Sequence, residues 1–458
     1  MKPLSLAFIA HSVGVAVPKG EAELRIERVV TDSRELRPGD LFVALRGERA
    51  DGHDFLPQAM ERGATAALVT TPRSDVVLPQ LRVTDALHAL AQLAAALRRE
   101  RRTQVLALTG SNGKTTVKTL LASILEQVGP TWATPGNRNN ELGMPLAVID
   151  QPEDARFAVY ELGAGQPGDI AHLAAIAMPQ VALVNNVGPA HLERLGSLLG
   201  VAQTKGAIYA ALPVDGVAVI NADDAFGTWF EQRLPPAQPR LRFGIEVPAE
   251  VMARELRLDA GHSEFVLQLG EQERALRLPL GGRHNVMNAL AAAAMAHAAG
   301  VGPEAIVAGL SRVSAVGGRL RRIPLADGMT LIDDSYNANP GSLAAAIAFL
   351  AAQSPPRVLV LGDMRELGEQ AVALHHEAGE RARSAGIERL LCTGPLSRAA
   401  AEGFGAGGEH FDTQEALLTA LRGALVPGAN VLVKGSRGSR MDRLVQALAP
   451  DEEDSHAA

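Results

Sequence analysis

The chain has 458 residues, with 44 lysines and arginines against 51 aspartates and glutamates and a formal net charge of −7; at roughly 150 residues per domain the length calls for about three domains. With 47% apolar and 21% charged residues it has the balance of a globular chain, and its acidic sign and 3% aromatic content exclude a general nucleic-acid binder, which needs a basic face and stacking platforms. The single cysteine, Cys392, excludes an intramolecular disulfide framework and a multi-cysteine zinc site.

No apolar run reaches the ~18 residues needed to cross a bilayer, so no membrane insertion is expected. The apolar opening, 4–10, is too short for a signal peptide and is cut by His11 and Ser12, so it reads as an amphipathic first helix. Cytoplasmic localisation is the expectation.

The predicted elements fall into three α/β blocks. In 1–83, a strand over 41–45, a helix over 55–62 closed by Gly63 and a strand over 66–69 make a small α/β unit. In 84–314, Asp85 opens a helix with Leu87, Leu90 and Leu97 at helical spacing. Strands follow at 104–108, 157–161, 181–184 and 217–220, and an alanine-rich helix at 287–299. Apolar strands alternating with helices predict a mostly parallel sheet covered on both faces. In 315–458 the alternation restarts, with strands at 330–332, 358–361, 390–391 and 431–433, as in a Rossmann-like doubly wound fold. The acidic tail 450–458 is expected to be disordered.

Between the 104–108 strand and the next helix lies Thr109-Gly110-Ser111-Asn112-Gly113-Lys114-Thr115-Thr116. Glycines let backbone N–H groups turn inward around a phosphate, the helix N-terminus adds positive potential, and Lys114 adds a full charge. Thr115, the hydroxyl after the lysine, is placed to reach Mg²⁺. The common P-loop pattern has a glycine at the position of Leu108; here the glycine is Gly110, which makes the loop shorter.

Other polar residues follow strand ends, where an open parallel sheet forms its ligand crevice. Glu161 closes the 157–161 strand and can hold a cation there. His191 follows the 181–184 strand, and Lys205 lies on a helix further on. Taken alone, a histidine is a structural hydrogen-bonding residue and a helix lysine a surface charge. Asn285 and Asn288 open the alanine-rich helix, where they could cap it or read an adenine edge, since both tasks use the same amide atoms. His375 and His376 read as exposed helix residues without chemistry.

The short loop and these downstream residues resemble the Mur ligase superfamily of ATP-dependent peptide-bond-forming enzymes, over nearly the whole chain. The resemblance implies a uridine-nucleotide-binding first domain, a central ATPase domain and a C-terminal ligase domain. It makes Gly110, Ser111, Asn112, Gly113, Lys114, Thr115 and Thr116 the ATP phosphate loop and puts Thr115 and Glu161 on Mg²⁺. It gives a second Mg²⁺ to His191 and Lys205, with Lys205 carbamylated. A carbamate turns the cation into a two-oxygen anion that hard Mg²⁺ accepts, and forming it needs the neutral amine that burial favours. Asn285 and Asn288 would lie at the adenine, Arg319 at the terminal phosphates and Asp334 at the ribose. Gly317-Gly318 and Asn339-Pro340 also read as simple turns.

Three runs narrow the substrate by the same resemblance. Thr31-Asp32-Ser33-Arg34 is similar to the uridine-diphosphate site, with Ser33 and Arg34 on the nucleotide. The run 136–143, with Asn137, Asn139 and Asn140, is similar to a loop of the dipeptide-adding member, as are the 361–368 and 434–437 runs. Basic Lys434 and Arg437, beside small Gly435 and Ser436, would receive a substrate carboxylate. The member that adds the third amino acid carries an Asp-Asn-Pro-Arg box, which does not occur here. The expected partners are therefore ATP, UDP-MurNAc-tripeptide and D-alanyl-D-alanine, acting on a monomer. The alternatives are the related ligase for diaminopimelate or lysine, and a P-loop switch without ligase chemistry.

Overall fold

Runs of valine, leucine and alanine without polar alternation make strands buried on both faces, and here they build three mostly parallel sheets. The computed structural model describes residues 2–47, 50–259, 261–314 and 317–449. The acidic tail and the boundary drawn at 315 lie outside them. The chain enters through a two-residue strand, Leu4–Ser5, and a short helix, Leu6–Ser12, so the expected first helix starts later. In the first sheet β1 (Arg28–Val30), β2 (Asp40–Val43), β3 (Ala66–Val69) and β4 (Gln80–Arg82) lie in that order, all parallel.

Helix α1 (Ala86–Glu100) joins this sheet to the next unit. Asp85 caps it by accepting from the His88 N–H at 2.8 Å. Its buried Leu90, Leu93 and Leu97 share one core with Leu41 and Leu68 of the first sheet and Val105 and Ala158 of the second. On this face the first unit shares its core with the second, while its other face closes a core of its own around Phe42, Leu56 and Val69.

The second sheet contains β5 (Gln104–Thr109), which leads into α2 (Lys114–Leu125), then β6 (Thr131–Ala133), β7 (Phe157–Glu161) and β8 (Val181–Val184). Helix α3 (Leu198–Gly206) precedes β9 (Val217–Asn221), β10 (Arg240–Gly244), β11 (Val251–Leu258), β12 (Ser263–Leu269) and β13 (Gln272–Leu278), and α4 (Arg283–Ala298) follows. The spatial order is β13-β12-β11-β10-β9-β8-β5-β7-β6. The strands from β11 to β6 run parallel, and β12 and β13 extend them as an antiparallel meander. The sheet is mostly parallel, as expected, and the antiparallel extension is the part that the strand pattern did not signal. In β12 buried and half-buried residues alternate, the pattern of a sheet with one wet face, which a search for continuous apolar runs misses.

The third sheet holds β14 (Arg321–Pro324), β15 (Thr330–Asp334), then α5 (Pro340–Ala351), β16 (Arg357–Gly362), β17 (Arg389–Thr393), β18 (Gly408–Phe411) and β19 (Asn430–Lys434). Its order is β14-β15-β19-β16-β17-β18, parallel except at the β14 edge. His375 corrects the sequence expectation: it is fully buried, Nε2 accepting from the Met364 N–H at 2.9 Å and Nδ1–H donating to Ala371 O at 2.6 Å. It pins the loop after β16 from within.

The chain leaves β5 toward β7 on one side and returns as β8 on the other, so β5 is the switch point of the central sheet, where a crevice opens. Tyr160, one residue before the crevice glutamate, points to the opposite face. Its hydroxyl donates to Gln151 Oε1 at 2.5 Å, and Gln151 Nε2 donates to Thr103 Oγ1 at 2.7 Å, all buried. Tyr160→Phe leaves that amide oxygen without its donor. It should cost about 1–3 kcal/mol, read as a lower urea midpoint with an unchanged slope.

Candidate active site

The turn from β5 into α2 requires glycine at one position above all. Gly113 has φ 79°, and a Cβ there would lie 2.3 Å from Asn288 Oδ1 and 2.7 Å from Asn185 Nδ2. No side chain caps α2, so its first N–H groups are left for a ligand. Asparagines hold the loop from behind. Asn186 Oδ1 accepts from the Asn112 N–H at 2.8 Å, and the Asn185 and Asn186 amides donate to Asn112 O at 3.0 and 3.1 Å. Asn185 also donates to Asn288 Oδ1 at 3.1 Å. Among the described residues, Thr109 Oγ1 and Asn185 Oδ1 beneath this loop are buried without a hydrogen-bond partner. Asn285 does not cap α4, which starts at Arg283; its amide donates to Gly281 O at 2.9 Å.

Glu161, 2% exposed at the end of β7, is the charge centre. Oε2 accepts from Thr115 Oγ1 at 2.9 Å and lies 3.3 Å from Lys118 Nζ, while Oε1 accepts from Asn139 Nδ2 at 2.8 Å. Burial opposes its ionisation, but Lys118, Lys114 and the two hydrogen bonds outweigh that and hold its pKa below the usual range. Lys118 also donates to Thr134 O at 2.9 Å and Gly136 O at 2.8 Å. The sequence reading misses Lys118, although it lies one helical turn after Lys114, the spacing of a shared face. Lys114 donates to Gly110 O at 2.8 Å, and burial lowers its pKa.

The third unit reaches the same loop. Arg319 donates to Thr115 Oγ1 at 2.8 Å and stacks 4.5 Å from the centre of the Tyr336 ring. Asn339 Nδ2 donates to Asn112 Oδ1 at 2.7 Å. Asp334 is paired with Lys434 at 2.5 Å, burial raising its pKa against the lysine's pull. Lys434 also donates to Asn337 O at 3.0 Å, so this lysine is committed inside the protein. His284 lies in the same wall, its pKa lowered to about 4 by burial and by Lys434.

These groups line a cavity of about 990 Å³ that also contains Ser111, Thr116, Asn140, His191, Asn285 and Asn288. His191 has φ 55°, and its Nδ1 meets the Glu366 carboxylate. Lys205, on α3, is 1% exposed, and its ammonium makes no ion pair or hydrogen bond among the described residues. Burial, with Lys114 adding to it, brings its pKa well below the ordinary lysine value.

Other expected site residues lie apart. Ser436 Oγ accepts from the Arg365 N–H at 2.8 Å and donates to Ala338 O at 3.2 Å, inside the third unit. The Asn137 carbonyl accepts from the Asn139 N–H at 2.8 Å. Neither residue lines the cavity. Ser33 and Arg34 line a separate cavity of about 620 Å³ in the first unit, to which Leu142 of the second contributes.

A glycine-turned loop with a lysine at the switch point of a parallel sheet, overlapped by a second doubly wound unit, is the architecture of a multidomain protein of the P-loop class. Family profiles match all three units: the Mur ligase family catalytic domain over residues 25–98, the Mur ligase middle domain over 108–296, and the Mur ligase glutamate ligase domain over 318–437. The chain belongs to the Mur ligase family. It is 44% identical over 431 residues to the UDP-N-acetylmuramoyl-tripeptide–D-alanyl-D-alanine ligase of Escherichia coli, covering 93% of this chain and 94% of that one. A crystal structure of MurF from Acinetobacter baumannii superposes with a TM-score of 0.91 at 35% identity, covering 98% and 99% of the two chains. MurF from Thermotoga maritima in complex with ADP gives 0.82 at 29% identity, covering 92% and 97%.

Gly113→Ala should weaken ADP binding by at least about tenfold, because left-handed strain and displacement of the Asn288 amide together exceed ~1.4 kcal/mol. Calorimetric titration with ADP, beside an unchanged far-UV spectrum, checks it.

Proposed function

We propose that this chain is the ATP-dependent ligase that joins D-alanyl-D-alanine to UDP-N-acetylmuramoyl-tripeptide, giving the pentapeptide, ADP and phosphate. The observation that carries the reading is the convergence of Lys114, Thr115 and Glu161 with Arg319 of the third unit, in a chain similar along its length to ligases of that name.

The substrate carboxylate and the γ-phosphate of ATP repel each other. Lys114 and the N–H groups of 110–116 receive the phosphates, and Arg319 adds a second charge as phosphoryl transfer begins. The carboxylate becomes an acyl phosphate, whose phosphate is a good leaving group. The amine of D-alanyl-D-alanine attacks the acyl carbon, and the tetrahedral intermediate collapses to the amide. Asn339 and Arg319 draw the third unit over the phosphate loop, excluding water that would hydrolyse the acyl phosphate. Asn285 and Asn288 are assigned to the adenine, Asp334 to the ribose, Ser33 and Arg34 to the uridine nucleotide, and Asn137, Asn139 and Asn140 to the loop beside the peptide. Lys434 lies in the cavity wall, paired with Asp334, and Ser436 holds Ala338 O behind it.

Thr115 Oγ1 and Glu161 Oε2, 2.9 Å apart, are the hard oxygen pair that Mg²⁺ accepts beside phosphates. A second ion would take His191 and a carbamate on Lys205, whose burial without a partner is what a neutral, carbamylatable amine requires. Bound magnesium would supply charge neutralisation at the phosphoryl oxygens. No helix among the described residues is long and apolar enough to cross a membrane, in keeping with nucleotide substrates dissolved in water.

Phosphate release with UDP-MurNAc-tripeptide should depend on D-alanyl-D-alanine and should not be supported by diaminopimelate or lysine. ATP hydrolysis indifferent to the muropeptide would refute the assignment. Lys114→Ala should lower kcat by at least about 10³-fold with the fold retained, the scale of losing a transition-state charge contact. Protein equilibrated with ¹³C-bicarbonate should show a carbamate carbon resonance that Lys205→Ala lacks. The signal should fade as pH falls and the amine takes up its proton, since only the neutral amine reacts.

A further inference from the structure

Two non-glycine residues in left-handed backbone touch across the boundary between the second and third units: His191 at φ 55° and Glu366 at φ 63°. Such conformations cost about 1–3 kcal/mol each and persist where surrounding contacts impose them. Asp363 accepts from the Leu396 and Ser397 N–H groups at 3.1 and 2.8 Å, and its carbonyl accepts from the Ser436 N–H at 2.9 Å. Met364 N–H is held by His375 and Arg365 N–H by Ser436. The loop is bolted to the third unit, and what it presents to the second is Glu366.

There, the Glu366 carbonyl accepts from the Glu193 N–H at 3.3 Å, and its carboxylate receives His191 Nδ1–H. A proton fixed on Nδ1 leaves Nε2 as the free lone pair of a side chain that lines the cavity. The carboxylate is half exposed and has no other partner among the described residues. We propose that Glu366 is a positioning residue: it reaches from the third unit to set the tautomer and orientation of His191, so that the cavity acquires its imidazole acceptor only when the third unit is docked. The proposal rests on the ligase reading above.

Glu366→Ala should lower kcat about 10- to 100-fold, the usual effect of losing a partner that orients a site imidazole, with the KM for UDP-MurNAc-tripeptide unchanged. Glu366→Gln, which keeps an acceptor for Nδ1–H, should stay within about threefold of the parent. In a His191→Ala background, Glu366→Ala should cost less than about twofold, because the residue acts through the histidine. Independently of turnover, ¹⁵N-histidine spectra of the ADP-bound protein should show the His191 Nδ1–H tautomer in the parent and its loss in Glu366→Ala. Additive losses in the double variant, a Gln variant as impaired as Ala, or an unchanged tautomer would each overturn the proposal. Activity lost in His191→Ala but kept in Glu366→Ala overturns the proposal alone. Full activity of His191→Ala overturns it together with the assignment of that histidine to the second ion.

Discussion

A carboxylate that is 2% exposed has to be neutralised where it stands, and much of the site follows from how Glu161 is accommodated. Lys118 supplies the charge from α2, so the helix that carries the phosphate loop is tied electrostatically to the end of β7. The same ammonium holds Thr134 O and Gly136 O, the stretch leading into the loop whose Asn139 donates to the other carboxylate oxygen. Two strands, one helix and one loop thus meet at a single anion. Removing one partner from such a set leaves an uncompensated buried charge, which costs far more than an exposed pair contributes.

The third unit is joined to this centre differently. Arg319 on Thr115, Asn339 on Asn112 and Glu366 on His191 are individual polar contacts, some half exposed. Few, wet contacts of this kind suit an interface that opens and closes, in contrast to the shared apolar core by which α1 binds the first unit to the second. One junction is a continuous apolar core and the other a small set of polar contacts. The Tyr336 ring under Arg319 supports the guanidinium where it donates to Thr115 Oγ1, limiting its rotamer freedom.

Local chemistry and continuous apolar runs were legible in the sequence. The strand–loop–helix around Lys114, the strand ending at Glu161 and the β8 strand before His191 stand where the pattern puts them. These features depend on neighbours along the chain, so a one-dimensional pattern contains them. Gly113 is an example, since a left-handed turn into a helix is written in its own type and position. The half-wet β12–β13 meander was not legible by the same rule, because it buries only alternate residues.

What the tertiary structure alone decided is which polar residues meet. Lys118, Asn185, Asn186 and Glu366 are ordinary in sequence and acquire meaning only from partners tens to hundreds of residues away. Lys434 and Ser436 read as substrate ligands in sequence, and only the fold shows that Lys434 pairs with Asp334 and Asn337 O in the cavity wall while Ser436 donates to Ala338 O. The glycine loop before Lys114, the parallel strands beside it and the inventory of charges can all be read along the chain. Their pairing was settled by folding, because a buried charge takes whichever counter-charge the packed chain brings within hydrogen-bond reach, and that proximity is a property of the sheet order and not of the spacing along the chain.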